Sequence, residues 1–452
     1  MSVAEPKTTP STRLESLRDA LEEGSLRPVK RMINALHPAE VASLIESMRP
    51  SERQILWELV PADDEGDILL ELNDEVRAGI IATMDDHEIV AAADGMELDD
   101  LADFLTDLPE TIIQQVMHSM DQQHQDRLQA VLGYPEDSAG GLMNPDTVTV
   151  RPDVTIEVVL RYLRLSGGVP EKTDALFVVN RHDLYLGTLA LTSLLTADPL
   201  LAVSEVMDSD PVVLLADTPA AQVAKQFSDR DLISAAVVDE KGQLLGRITI
   251  DDVVDVIREQ GEHSLMSMAG LDEDEDMFAP VFTSARRRAV WLGVNLATAF
   301  LAAWVVGLFQ ATLEKVVVLA VLMPIVASMG GIAGSQTLTL IIRGIALGQV
   351  ERSNARWLFN KEIMVGLLNG LMWAGMVAFA VIIWFGDWRI GLVLAAALVI
   401  NLVVAAISGV GIPLLLRRLG IDPALAGSVV LTTLTDVIGF ATFLGLGALL
   451  LT

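Results

Sequence analysis

Residues 427–446 read GSVVLTTLTDVIGFATFLGL. The run is long and apolar enough to cross a ~30 Å hydrocarbon layer as a helix, yet Asp436 stands in its middle. A carboxylate at the bilayer centre costs about 2.5–3.5 kcal/mol on insertion scales, and such residues face protein or water rather than lipid. Ser428, Thr432 and Asp436 recur every four residues and so share one helical face, which Gly439 continues. Val430, Leu434, Val437 and Ala441 lie opposite and suit lipid or neighbouring helices. An acid on a stripe of hydroxyls reads as the wall of a cation path. The competing reading is a buried base beside Asp436, but no Lys or Arg is expected well inside any apolar run.

Four more apolar stretches precede this one, at about 289–313, 316–342, 363–385 and 389–416, and the last extends over 424–451. With the N-terminal half inside, Arg286, Arg287, Arg288, Arg343, Arg352, Arg356, Lys361, Arg417 and Arg418 lie on the inner side. Only Lys315 and Arg389 lie outside. This is the positive-inside pattern, and it puts the C-terminus outside. The second stretch, MPIVASMGGIAGSQTLTLIIR (323–343), contains Pro324, Gly330, Gly331 and Gly334. Small residues at this spacing fit close helix packing. They also fit backbone bared towards a polar path, which Ser335, Gln336, Thr337 and Thr339 favour. Gly330, Gly331, Gly334 and Gln336 therefore join Asp436, Thr432 and Ser428 as candidate path residues. Oxygen donors suit hard cations such as Mg2+ or Ca2+, and all six His residues precede the first apolar run, which argues against an imidazole site there. One Asp per chain is thin for a divalent ion; two chains on a two-fold axis would supply a pair, so a homodimer is expected.

A chain of 452 residues should hold two or more domains. Its net charge of −30 is unevenly spread: residues 1–285 hold 55 acids and 20 bases, residues 286–452 only 6 and 11. Such an acidic half repels nucleic acid, excluding DNA and RNA as partners, and attracts cations. The absence of cysteine rules out disulfides and thiolate metal sites. The N-terminus, MSVAEPKTTPSTRLESL, has no basic region followed by an apolar one, so no signal peptide is expected and the acidic half should stay in the cytoplasm. No P-loop, acid–base pair or nucleophile constellation is present, so no enzyme is expected.

From about 35 to 132 the pattern is of short helices, each opened by Pro, Ser or Asp, whose many acids read as a solvated face. Between 143 and 258 lies an internal repeat. FVVNRHDLYLGTLALTSLL (177–195) aligns without gaps with AVVDEKGQLLGRITIDDVV (236–254), each copy preceded by a helical run and a Met-led extended piece. This pattern resembles a tandem pair of CBS domains. Thr249 and Asp252 fit the T-x-x-D that such domains use for a ribose, which raises ATP as a ligand, while the first copy has Thr192 and Ser193 in that place. The acid block Asp272–Asp276 precedes the first apolar run and reads as a charged linker or as a lever.

The chain as a whole resembles the MgtE-type magnesium channels. YPEDSAGGLM (134–143) resembles the family's junction between its first two soluble domains; LRRLGIDPAL (416–425) and TLTDVIG around Asp436 resemble its last loop and helix. The resemblance implies a multidomain membrane protein. It would comprise an all-α helical-array N domain at 1–132, α+β tandem CBS domains at 133–200 and 201–260, a connecting plug helix at 261–285, and an α-helical bundle of five transmembrane helices at 286–452. It further implies a homodimer in the inner membrane that takes up Mg2+, with Asp436 in the pore and the Thr432 carbonyl near the same ion. Cytosolic Mg2+ would close it by bridging acids, which here match at Asp231, Asp252 and Asp255. Pro219 and Ala221 replace two further acids of the pattern, and Gln260, His263 and Ser264 replace others, so Glu259 and Glu262 are substitute candidates. GGIAGSQ stands where the family reads GGNTGNQ, with Ile332, Ala333 and Ser335 changed, and Ser428-Val429 stands for Asn-Pro. Selectivity against Mn2+, Co2+ or Ca2+ is therefore open, as is a proton-coupled carrier; a non-conducting membrane-tethered ion or nucleotide sensor is the rival from another class.

Overall fold

The computed structural model describes residues 26–106, 108–165, 168–170, 172–271, 275–351 and 353–452. Asp272, Glu273 and Asp274 of the acid block, and Arg352, lie outside the described residues. The chain divides into two compact units, one within 1–260 and 274–280, the other within 261–273 and 281–452.

The first unit begins with short helices, running from Leu26–Ile33 to Gln122–Val131. Their starts follow local chemistry. Asp85 accepts the N–H groups of His87 and Glu88, both at 2.9 Å, while Glu88 reaches back to Asp85 N at 2.9 Å, closing a capping box over Asp86–Ala93. Helices of eight to ten residues do not hold alone in water. Here they are held by burying Ile45, Met48, Leu69, Phe104 and Leu105, where truncating one Leu or Ile to Ala costs about 2–5 kcal/mol.

Two three-stranded sheets follow. In the first, β1 (Thr149–Val150) pairs parallel with β2 (Ala175–Val179), which pairs antiparallel with β3 (Tyr185–Ala190). In the second, β4 (Val213–Leu215), β5 (Ser234–Val238) and β6 (Leu244–Thr249) repeat the order. The internal repeat extends to irregularities: the register shifts at Val178/Val179 in one sheet and at Val237/Val238 in the other. Each copy also completes the other. Asn144, preceding the first copy, bridges Arg247 on β6, and Asp208, preceding the second, bridges Thr188 on β3. Gly187 and Gly246 permit these approaches, because a Cβ at Gly246 would sit 2.7 Å from the Asn144 carbonyl oxygen. The core of the helical array runs on into the second copy through Ala139, Met143, Leu214 and Phe227. The first copy keeps a core of its own around Ile156, Leu176, Val178 and Leu189.

Asp276, the last acid of the block, is locked onto the helical array. Arg53 donates to both its carboxylate oxygens and also to the carbonyls of Ile45 and Glu46, each at 3.1 Å.

In the second unit five helices are long and apolar enough to cross a membrane: α1 (Val281–Gly307), α2 (Val318–Ala346), α3 (Ala355–Phe385), α4 (Trp388–Arg418) and α5 (Pro423–Leu451). With the helical array and the two small sheets they make a multidomain membrane protein. The first apolar run does not form one helix over 289–313 as the sequence suggests. α1 starts earlier because Arg286–Arg288 continue a helix readily. It stops at Gly307, where Leu308 N is shared between the carbonyls of Trp304 and Val305, and Gln310–Lys315 forms a separate short helix. α3 likewise starts before its apolar run and takes Lys361 and Glu362 into its second turn, at the end of the span rather than well inside it. The helix Ile250–Ala269 runs unbroken across position 260, where the sequence suggests a boundary.

Candidate functional site

α5 is opened by Asp422, which accepts Ala424 N at 2.9 Å and Leu425 N at 3.3 Å, with Pro423 at the first helical position. Asp436 lies midway along it. Ser428, Thr432 and Asp436 are each partly exposed in the single chain, whereas Gly439, which continues their face, and the flanking Leu431 and Thr435 are buried. The Thr432 hydroxyl turns back to the carbonyls of Ser428 and Val429, at 3.0 and 3.1 Å. Among the described residues Asp436 makes no ion pair and no side-chain hydrogen bond. Lys361, the base inside α3, instead contacts Glu362 at 2.6 Å, and Glu362 also accepts Thr337 Oγ1 at 3.4 Å. Glu362 is buried, and its place beside Lys361 at the edge of an apolar run does not single it out in the sequence.

α2 packs antiparallel to α5. Leu319 lies against Gly447, Gly334 against Leu431 and Leu338 against Gly427, a register that brings Gly330 level with Asp436. Gly330 and Gly334 are buried points of helix approach, so for these two close packing holds rather than an open lining; Gly439 is buried as well. Gly331 has open space where a Cβ would be, and Ser335, Gln336 and Thr339 are at least partly exposed on the same helix. Ser335, Gln336 and Thr339 of α2 and Ser428, Thr432 and Asp436 of α5 thus remain at least partly uncovered by the chain itself, whereas Thr337 and Thr435 are buried.

A second acidic constellation forms in the first unit. Glu97, Asp99 and Asp100 place carboxylate oxygens within 4.8 Å of one another. Asn144 donates to Glu97 Oε2 and Asp99 Oδ1, both at 3.2 Å. Asp252 joins them from the start of the helix Ile250–Ala269. Burial and the neighbouring Asp252 carboxylate push Asp99 up to about 8; burial and Asp251 push Asp252 up to about 7; burial and Glu97 push Asp100 up to about 6. Close by, burial and Glu136 push Asp103 up to about 7. Asp99 is buried and Glu97 and Asp100 are half-buried, and the upward shifts show that the carboxylates lack enough positive charge nearby, a donor set suited to a hard divalent ion. Lys172 reaches in and pairs with Asp251.

Of the other acids singled out from sequence, Asp255 and Glu259 lie near enough to the constellation to push Asp100 and Asp103 up further. Asp231 is exposed, in the left-handed conformation that ends the helix Ala220–Arg230. Asp255 is exposed and lies 3.6 Å from Arg258, and Glu259 and Glu262 are exposed. His263 Nε2 lies 3.2 Å from Asp422 Oδ2. An acid at that position would repel Asp422 unless a cation lay between them; His263 contacts it directly.

A scan of family models matches the MgtE divalent cation transporter domain at 323–446, the MgtE intracellular N domain at 36–137, and CBS domains at 139–199 and 203–259. The magnesium transporter MgtE of Thermus thermophilus is 32% identical over 441 residues, covering 96% of this chain and 98% of its own. The chain belongs to the MgtE family. The magnesium transporter MgtE of Bacillus subtilis is 26% identical, with 94% of each chain covered. A crystal structure of the cytosolic domain of the Mg2+ channel MgtE in complex with ATP is 33% identical, covering 54% of this chain and 99% of its own at a TM-score of 0.49.

In this MgtE-family chain the ribose reading of Thr249 and Asp252 meets an obstacle. Thr249 is buried, its N–H and hydroxyl are both taken by Asp252 Oδ2 at 3.1 Å, and Asp251 holds the hydroxyl too. The pair caps a helix. A cavity of about 400 Å3 opens elsewhere, lined by Thr188, Ser193, Asp208, Asp210 and Ser234 among others, without a Lys or Arg among the described residues. Its carboxylates would repel the phosphates of a nucleotide not already carrying a metal ion.

Proposed function

We propose that this chain forms a homodimeric Mg2+ channel of the inner membrane, taking up Mg2+ with its soluble domains in the cytoplasm and its C-terminus outside. One observation supports the reading: Asp436 sits midway along an apolar helix, in line with Ser428 and Thr432, without a basic partner among the described residues. A carboxylate so placed is expensive in lipid and gains from a hard cation. A second chain would bring a second Asp436 to a mostly hydrated ion, which suits Mg2+ because it dehydrates reluctantly. The inside-negative potential would drive entry at about 2.3 kcal/mol per charge per 100 mV.

Closure by cytosolic Mg2+ is the second half of the proposal. The acids at Glu97, Asp99, Asp100 and Asp252 repel one another while unneutralised, so the packing that assembles them is weakened until a divalent ion binds. ATP has no comparable support among the residues first considered for it, and no catalysed reaction is proposed. The experiment is uptake into liposomes. Asp436→Ala should fold and dimerise but conduct no Mg2+; wild-type flux in that variant refutes the pore. A competition series with Mn2+, Co2+ and Ca2+ decides whether another divalent ion is the substrate, and a silent wild type would favour the sensor.

A further inference from the structure

Asn401, in α4, has no exposed surface. Its Nδ2 donates to the carbonyl of Val326 on α2 at 2.9 Å, and its Oδ1 has no donor among the described residues. Two glycines enclose the amide. A Cβ at Gly330 of α2 would fall on it, and a Cβ at Gly439 of α5 would come within 2.8 Å of Nδ2. Three helices thus meet on one side chain, at the depth of Asp436 by the register of α2 against α5. Ordinary side chains at 330 and 439 would have set the separation of these helices by their own bulk. With both absent, the spacing rests on a group supplied from behind by α4.

A polar group that leaves an acceptor unmet is an expensive way to fill such a space. If volume alone were required, an apolar side chain of the same size would do as well or better. What the amide adds is direction: the bond to Val326 fixes its orientation and holds α2 in place against it. Ion ranking depends on such spacing, because Mg2+ demands short, near-octahedral coordination and retains water, whereas Ca2+ tolerates longer and more irregular coordination. We propose that Asn401 is a positioning residue that sets the width of the ion path at Asp436, and with it the preference among divalent cations. The inference rests on the reading of Asp436 as part of that path.

The test uses the full chain in liposomes, measuring Mg2+ and Ca2+ uptake per folded dimer. Asn401→Leu keeps the branched outline of the side chain, with added bulk, and removes the directional bond. It should fold, yet change the Ca2+-to-Mg2+ uptake ratio by about threefold or more. Gly439→Ala, which pushes on the same amide, should alter the ratio in the same sense and decides the matter if Asn401→Leu does not fold. A wild-type ratio in the folded variant, or flux lost only in proportion to folded protein, overturns the proposal. Asp436→Ala separates the two levels. If it conducts, the pore reading itself fails; if it is silent while Asn401→Leu keeps the wild-type ratio, only the role of Asn401 falls.

Discussion

Arg53 grips both carboxylate oxygens of Asp276, at 2.6 and 2.7 Å, across 223 residues of sequence. Their side chains are only 7% and 5% exposed, and Asp276 N donates to Glu75 at 2.7 Å. The six residues that lead into α1 are thereby fastened to the helical array. Removing one partner of a buried pair leaves an uncompensated charge, which costs about 3–5 kcal/mol, whereas replacing both by apolar groups is often neutral. Arg53→Met should therefore destabilise the first unit strongly, and Arg53→Met with Asp276→Leu should recover most of the loss. Chemical denaturation of the detergent-solubilised chain measures this; equal losses in both variants would show that the pair is not the cause.

Neutralising the acidic constellation should disconnect Mg2+ from the soluble domains. Asp99→Asn with Asp252→Asn is expected to raise the Mg2+ needed to protect residues 26–260 from protease about tenfold or more, since two charged donors are lost. The same experiment on Asp231, Asp252 and Asp255 together tests the assignment drawn from resemblance. If protection is unchanged in both, the ion-sensing acids lie elsewhere.

Protons should compete for that constellation. The folded-state values of Asp99, Asp252 and Asp100 lie near 8, 7 and 6, above the ~3.9 of an unfolded chain. Between these limits the folded state holds more protons than the unfolded one, so stability falls as pH rises through the window. In chelator, the thermal midpoint of the first unit should drop from pH 6 to pH 8. Saturating Mg2+ should flatten the dependence by replacing the protons. A midpoint that climbs with pH in chelator contradicts the assignment.

Lys172 acts as a tethered cation beside these acids, paired with Asp251. Exchanging it for Gln removes a competitor at a half-exposed site, where the effect is modest because water screens the charge. A severalfold lower Mg2+ requirement for protease protection is expected in Lys172→Gln, and a higher one would argue that the ammonium organises the site rather than occupying it.

The membrane half was legible because long apolar runs have few alternative explanations, and the repeat because its two copies align residue for residue. The acidic constellation was not legible for a physical reason. Glu97, Asp99 and Asp100 open a helix, where acids are commonplace partners of exposed N–H groups, and only folding brings Asp252 to them. Asn401 carries no period in a run of otherwise apolar residues, and its meaning comes from two glycines on other helices. The glycines of α2 allowed two readings, and burial separates them: Gly330 and Gly334 serve packing, Gly331 faces open space.

The reciprocal bridges of the two CBS copies, Asn144 to Arg247 and Asp208 to Thr188, carry a consequence for how such a molecule can change. Neither half of the duplication is a spare. Deleting one would leave its twin with a bare strand edge, a template for mispairing, so the ancestral doubling is hard to undo. Novelty is then channelled into the loops and the extended leaders, and the leader of the first copy already ends in the amide that touches the acidic cluster.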